Sequence, residues 1–311
     1  MDGSLQQGLL SPPVLALLGL CLGSFLNVVI HRKPLMMERE WWSELARQLL
    51  DDPAWGKFFP HSPKAPRELA AAARVIEVEL NRTPAVGLAS PRSRCPACGH
   101  QLSWHENIPL LSYLRLGGRC SACKTRILPR YPLIELLAAV LFAATGWQIG
   151  AQPAALLWCG FMAALIALAF IDLDTKYLPD DLTLPLMWVG LGAAALGWIP
   201  VSLSSSVWGV IAGYLSLWIV STVYRLVRHQ EGMGAGDFKL LAALGAWMGW
   251  QLIPAIILLA SVVGAIVGIA LIVFKRHDHN DPIPFGPYLA GGGVAAFFFG
   301  ESLMRLWFPL P

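Results

Sequence analysis

Charged side chains are scarce in this chain of 311 residues: Asp, Glu, Lys and Arg make up 14% of it, against roughly a quarter in a soluble globular domain. That scarcity argues against an ordinary water-soluble fold. It is sharpest in four stretches, 133–171, 182–224, 240–274 and 282–300, where Glu135 is the single ionisable carboxylate or amine. Positive charge is also missing ahead of the first apolar run, and His31, Arg32 and Lys33 follow it instead. A cleavable secretory signal has the opposite order, so the run reads as an uncleaved first span. The glycine run Gly232 to Gly236 lacks the Rossmann and P-loop spacings and no strand precedes it, which excludes a nucleotide loop. Internal repeats and low-complexity tracts are absent as well.

Apolar residues fill the space that charge leaves, at 56% of the chain. A spanning helix needs about 20 mainly apolar residues. Eight spans are expected by apolarity, at 9–30, 133–150, 153–172, 182–199, 205–225, 238–250, 252–274 and 286–307. Sixteen of the 23 Lys and Arg lie between Ile30 and Leu133. Because cytoplasmic loops carry the excess of Lys and Arg, that segment is expected inside and the start, Met1 to Gln7, outside. With eight spans, Lys176, the Arg225/Arg228 pair and the Lys275/Arg276 pair fall on the same inner side. The uncharged connections near Gln152, Val201 and Gln251 fall outside. The expected fold class is an all-α polytopic membrane protein with a small cytosolic zinc-binding insert between helices 1 and 2. Its divisions are a first span (1–30), a cytosolic domain (31–132) and a seven-helix membrane core (133–311).

The insert is too small to bury a large core without help. Two amphipathic helices are expected near Trp41 to Leu50 and Arg67 to Leu80, separated by a connector marked by Pro60, Pro63 and Pro66. Their plain reading is solvated or membrane-skimming helices. Residues 91–132 differ, since four of the six cysteines fall there as Cys95-Pro-Ala-Cys98 and Cys120-Ser-Ala-Cys123. A two-residue gap lets both sulfurs of one turn face a common centre, and two such turns complete a tetrahedron around Zn²⁺. Two disulfides are the competing reading, disfavoured because thiols stay reduced in the cytosol. Four thiolates would fill the coordination sphere, so the metal would be structural and not hydrolytic.

An acid in or at the edge of a span is costly and a functional candidate by default. Asp172 stands at the expected cytosolic end of the third span, with Asp174, Asp180 and Asp181 nearby. Asp237 stands in Gly234-Ala-Gly-Asp237 at the cytosolic start of the sixth. Two carboxylates about 3 Å apart in a low-dielectric pocket cannot both ionise and share a proton. One then serves as base on a water and the other as acid toward a scissile carbonyl. The plain alternative is a pair of helix-boundary acids, Asp237 being well placed at a helix N-terminus.

Seven segments in order make the chain resemble the bacterial type IV prepilin peptidases of the GxGD aspartyl protease group. They are Gly23-Ser-Phe-Leu-Asn-Val-Val-Ile-His-Arg32, Pro91-Arg-Ser-Arg-Cys-Pro-Ala-Cys98, Asn107-Ile-Pro-Leu-Leu-Ser-Tyr-Leu114 and Arg130-Tyr-Pro-Leu-Ile-Glu135, then the stretch from Asp172 to Pro185, Gly234-Ala-Gly-Asp-Phe-Lys239 and Pro284-Phe-Gly-Pro-Tyr-Leu289. Residues 34–90 stand outside the resemblance. It implies Asp172 and Asp237 as the catalytic pair, with Asp172 as the first acid. It also implies cleavage of type IV prepilins and type II secretion pseudopilins on the cytosolic side of the bacterial inner membrane. Methylation of the new N-terminal amine with S-adenosylmethionine would follow. The implied partners are those substrates and the bilayer, with no nucleic acid. The glycine linked to methyl transfer maps to Gly118, although Gly117 stands where the family commonly has arginine. A transporter, or a non-catalytic assembly factor with the same zinc-stabilised domain, is the alternative. A transporter would place acids near mid-span and often carry a repeat; the presence of both aspartates argues against the assembly factor.

Overall fold

The computed structural model describes residues 7–62, 64–230, 232–274 and 283–307. The Lys275/Arg276 pair and all but the end of the expected outer segment lie outside them. Regular structure among the described residues is helical apart from two isolated β-bridges. The helices are α1 (Pro12–Leu50), α2 (Asp52–Phe58), α3 (Arg67–Arg82), α4 (Leu111–Arg115), α5 (Arg130–Ile149), α6 (Ala154–Thr175), α7 (Asp180–Ala195), α8 (Leu203–Arg228), α9 (Ala235–Met248), α10 (Ile253–Val273) and α11 (Gly286–Trp307). The chain divides into two compact units, one of residues 28–103 and one of residues 1–27 with 104–311.

Five segments are long and apolar enough to cross a membrane: α1, α5, α6, α8 and Trp250–Val273. The expectation of eight is therefore met in part. Helices α7 and α9 stand where spans were expected but have only 16 and 14 residues, fewer than the roughly 20 that a straight crossing takes. Helix α11 has 22 residues, but five glycines and Glu301 dilute its apolar run. The insert departs from expectation in another way: α1 does not stop near Ile30 but continues through Pro34 to Leu50. The residues after that proline, rich in Leu, Met, Glu, Arg and Gln, are strong helix formers and restart the ladder that a proline interrupts.

In the 28–103 unit, arginines of α1 hold the end of α3 and the chain that follows it. Arg32 donates to the carbonyls of Gly87 (2.8 Å) and Pro91 (2.7 Å), and Arg39 to those of Leu80 (2.7 Å) and Thr83 (2.9 Å). Helix α3 covers Arg67–Arg82, close to the stretch its amphipathic pattern indicates.

In the larger unit, small residues let helices approach closely, as in many membrane bundles. A Cβ at Gly19 would come to 2.6 Å from the Ala138 carbonyl, and one at Gly23 to 2.7 Å from Glu135 Cα, so α1 lies directly on α5. Gly209 of α8 and Gly245 of α9 meet backbone to backbone, and the Ser206 hydroxyl donates to the Ala246 carbonyl at 2.6 Å. Helix α9 is buried along almost its whole length. Near its C-terminal end Trp247 packs on Trp158 and Phe161, with ring centroids 5.0 and 4.8 Å apart, and its indole N–H donates to the Leu186 carbonyl at 2.8 Å. Core side chains thus line α9 from Phe238 to Met248, with the aromatic cluster at its C-terminal end. Its other end, roughly 15 Å away at 1.5 Å per residue, carries Asp237.

Gly245→Leu is expected to force α8 and α9 apart. Overpacking of this kind costs about 1–3 kcal/mol, and thermal unfolding of the detergent-purified variant should show a lower midpoint than wild type.

Candidate active site

Four helix ends meet at the Asp237 end of α9. Helix α6 finishes at Thr175, where Lys176 adopts a left-handed conformation and its N–H returns to the Asp172 carbonyl. The chain then runs through Leu178 to Pro179, which precedes the first turn of α7 and its acids Asp180 and Asp181. Helix α9 opens from extended Gly234, so Asp237 lies in its first turn, where the helix dipole favours an acid. Helix α11 opens at Gly286.

Asp172 and Asp237 are both buried, at 4% and 9% exposure, and close enough for their charges to interact. Neither has an ion-pair partner among the described residues. The Gly286 N–H donates to Asp172 Oδ2 at 2.9 Å, whereas Asp237 Oδ1 is buried without any hydrogen-bond partner. Glycines set the clearance. A Cβ at Gly286 would fall 2.7 Å from Asp172 Oδ2, and one at Gly236 would fall 2.8 Å from Leu178 Cβ. Leu178 therefore lies beside both glycines and occupies the space next to the acids.

The neighbouring acids are in a different state. Asp174 is gripped by Arg130 through two hydrogen bonds of 2.6 and 2.7 Å, and Asp180 takes Lys239 Nζ at 2.7 Å on each oxygen. Asp181 also has a polar or electrostatic partner. Of the acids that the sequence offers here, Asp172 and Asp237 are thus the two buried ones with no cation beside them. Such a pair can bind and polarise one water, one carboxylate taking a proton while the other gives one. Gly286, Leu178, Arg130 and Lys239 were not singled out as functional from sequence. All four lie inside the quoted motifs, Lys239 following Asp237 by two residues.

The cysteines form two like turns. Cys95 N–H bonds to the His100 carbonyl and Gly99 N–H to that of Cys95; Cys120 N–H bonds to the Thr125 carbonyl and Lys124 N–H to that of Cys120. Gly99 and Lys124, each just after the second cysteine of its turn, are left-handed, with φ of 71° and 59°. A β-bridge closes each turn, Arg94 with Gln101 and Arg119 with Arg126. The four sulfurs lie within 4.8 Å of one another and could hold a metal ion. Four bonds of about 2.3 Å at tetrahedral angles would put them roughly 3.8 Å apart, which lies within that limit, so the donor set fits. Gly118 lies at the entry to the second turn. Its φ is 65°, and a Cβ there would come to 2.9 Å from the Tyr113 ring.

Comparison with known proteins accords with this geometry. Residues 17–149 match the model of the bacterial peptidase A24 N-terminal domain, and residues 158–269 match that of the type IV leader peptidase family. A protein of Stutzerimonas stutzeri named prepilin leader peptidase/N-methyltransferase is 46% identical over 92% of this chain and 90% of its own length. Proteins of the same name from Aeromonas hydrophila and Pseudomonas aeruginosa are 47% and 45% identical, each over 94% of this chain and 91% of the relative. No solved structure matches the chain significantly. The fold and these likenesses define a helical membrane enzyme of the aspartyl peptidase class. The chain belongs to the type IV leader peptidase family.

Metal content tests the cysteine cluster. Cys98→Ser removes one of four donors, and because folding and binding are coupled in small sites, elemental analysis of the purified variant should find the metal lost. Full retention would point to other ligands.

Proposed function

We propose that this chain cleaves the leader peptide of type IV prepilins and of type II secretion pseudopilins at the cytosolic face of the bacterial inner membrane, and then N-methylates the new N-terminal residue. The observation that carries the reading is the pair of buried aspartates, Asp172 and Asp237, in a chain so similar to proteins named for both activities. In this reading all eight apolar segments lie in the membrane and the N-terminus is periplasmic. Residues 31–132 serve as the cytosolic domain and 133–311 as the protease core. Short α7 and α9 are compatible with this, since α9 is enclosed by protein and need not meet lipid along its length.

The two carboxylates differ in their surroundings, which supports different roles. Asp172 receives the Gly286 N–H, a bond that suits an ionised carboxylate acting as base on the attacking water. Asp237 Oδ1 has no donor aimed at it, which suits the carboxyl that carries a proton and delivers it to the scissile carbonyl. Water adds to the carbonyl carbon, its proton passing to Asp172. Collapse breaks the C–N bond as the proton held by Asp172 passes to the leaving amine and a hydroxyl proton of the intermediate returns to Asp237. The substrate's own hydrophobic helix lies in the bilayer, so a cut at the interface falls where these helix ends converge.

Zinc is the metal proposed for Cys95, Cys98, Cys120 and Cys123, with a structural role, because four thiolates leave no open position. S-adenosylmethionine is the proposed methyl donor. Gly118 is the one position here proposed to bear on that step, and its tight fit on Tyr113 supports a requirement for glycine.

Asp172→Asn and Asp237→Asn, made singly, should each cut processing of a co-expressed prepilin by at least about 100-fold, the usual scale for losing a general acid or base. The readout is gel mobility, and normal processing by either variant would refute the pair. Gly118→Ala is expected to lower methylation of mature pilin more than cleavage, because a side chain at positive φ is strained. Mass spectrometry of the pilin N-terminus, seeking one added methyl group, checks this.

A further inference from the structure

Two ion pairs flank the aspartates with the same spacing. Asp174 stands two residues after Asp172, and Lys239 stands two residues after Asp237. From the start of α5, Arg130 holds both oxygens of Asp174, reaches the Phe170 carbonyl at 3.3 Å and lies 5.0 Å over the Phe170 ring. From α9, Lys239 holds both oxygens of Asp180 at 2.7 Å. Asp174 and Asp180 bracket the connector between α6 and α7, and that connector carries Leu178, the side chain lodged beside Gly236 and Gly286. One end of the connector is therefore tied to α5 and the other to α9.

Folding stability is a weak reason for these ties. The side chains are 35% and 39% exposed in one pair and 30% and 44% in the other, a range in which solvent screens ion pairs and their contribution is small. Geometry gives a stronger reason. Asp172 and Asp237 sit on separate helices with no direct bond between them, so their separation depends on what fixes the segment beside them.

We infer that Lys239 acting through Asp180, and Arg130 acting through Asp174, are positioning residues for peptide cleavage. They fix both ends of the connector, and with it Leu178, so that Asp172 and Asp237 face each other across a set gap. The same bonds neutralise Asp174 and Asp180, whereas the buried pair has no ion-pair partner among the described residues. The inference rests on the reading of Asp172 and Asp237 as the catalytic pair.

The test uses full-length enzyme purified in detergent, a prepilin substrate for cleavage, and an already cleaved pilin with S-adenosylmethionine for methyl transfer. Lys239→Met, Asp180→Asn and the double exchange of Lys239→Glu with Asp180→Lys are compared with wild type and with Asp237→Asn. Misplacing a reacting group by about 1 Å can cost 100-fold. The single variants should accordingly lose roughly 10- to 100-fold in cleavage kcat, with KM within about twofold and methyl transfer at the wild-type rate. The double exchange should recover most of the lost kcat. Wild-type kcat in both single variants, with Asp237→Asn inactive, would overturn the inference while leaving the catalytic pair intact. Equal loss of cleavage and methyl transfer would overturn it too, since that marks a global structural role. Cleavage at the wild-type rate by Asp237→Asn would instead remove the reading beneath it.

Discussion

Two carboxylates enclosed by helices, with no ion-pair partner among the described residues, are the constraint around which this molecule is arranged. Burying such groups is unfavourable unless partners or function compensate, and here the backbone N–H of Gly286 reaches Asp172. The surroundings make the enclosure possible. The first turns of α7, α9 and α11 all converge there, and helix N-termini carry the partial positive charge that an acid favours. Asp172, at the C-terminal end of its own helix, obtains from α11 the donor that α6 cannot supply.

Holding those ends in place is the task of the rest of the larger unit. Helix α9 is pressed against α8 through Gly209 and Gly245 and anchored at its far end by Trp247 among aromatic rings. A short helix fixed so firmly at one end presents Asp237 at the other with little freedom. Exposed helices such as α8, only 11% buried across its most apolar stretch, supply the wall, while α6, 56% buried, supplies the interior. The cysteine module follows a separate logic: each turn is a local hydrogen-bonded unit, and the sulfurs brought together can draw on metal binding for the stability that a small core lacks.

Much of this was legible beforehand. The apolar runs announced α5, α6, α8 and α10 because a helix in lipid must satisfy its own backbone and therefore writes an unbroken apolar stretch. Asp172 and Asp237 stood out because acids at the edge of such stretches are rare, and the paired C-x-x-C spacing marked the four cysteines. Other features were hidden. The apolar run ends at Ile30, where the charges of His31 to Lys33 begin, yet α1 runs on to Leu50. The enclosure of α9 by protein was hidden too, since an apolar run records what can be buried but not whether lipid or protein buries it.

The sequence by itself determined the composition, the order of apolar segments, the identities of the acids and thiols, and the family to which they point. Only the tertiary structure decided which acids are neutralised. Arg130 and Asp174 are 44 residues apart in the chain, and Lys239 and Asp180 are 59 apart. Whether such groups meet depends on how helix ends are brought into register by close packing elsewhere. No local pattern of residues encodes that register, because it is a property of the assembled bundle and not of any one helix.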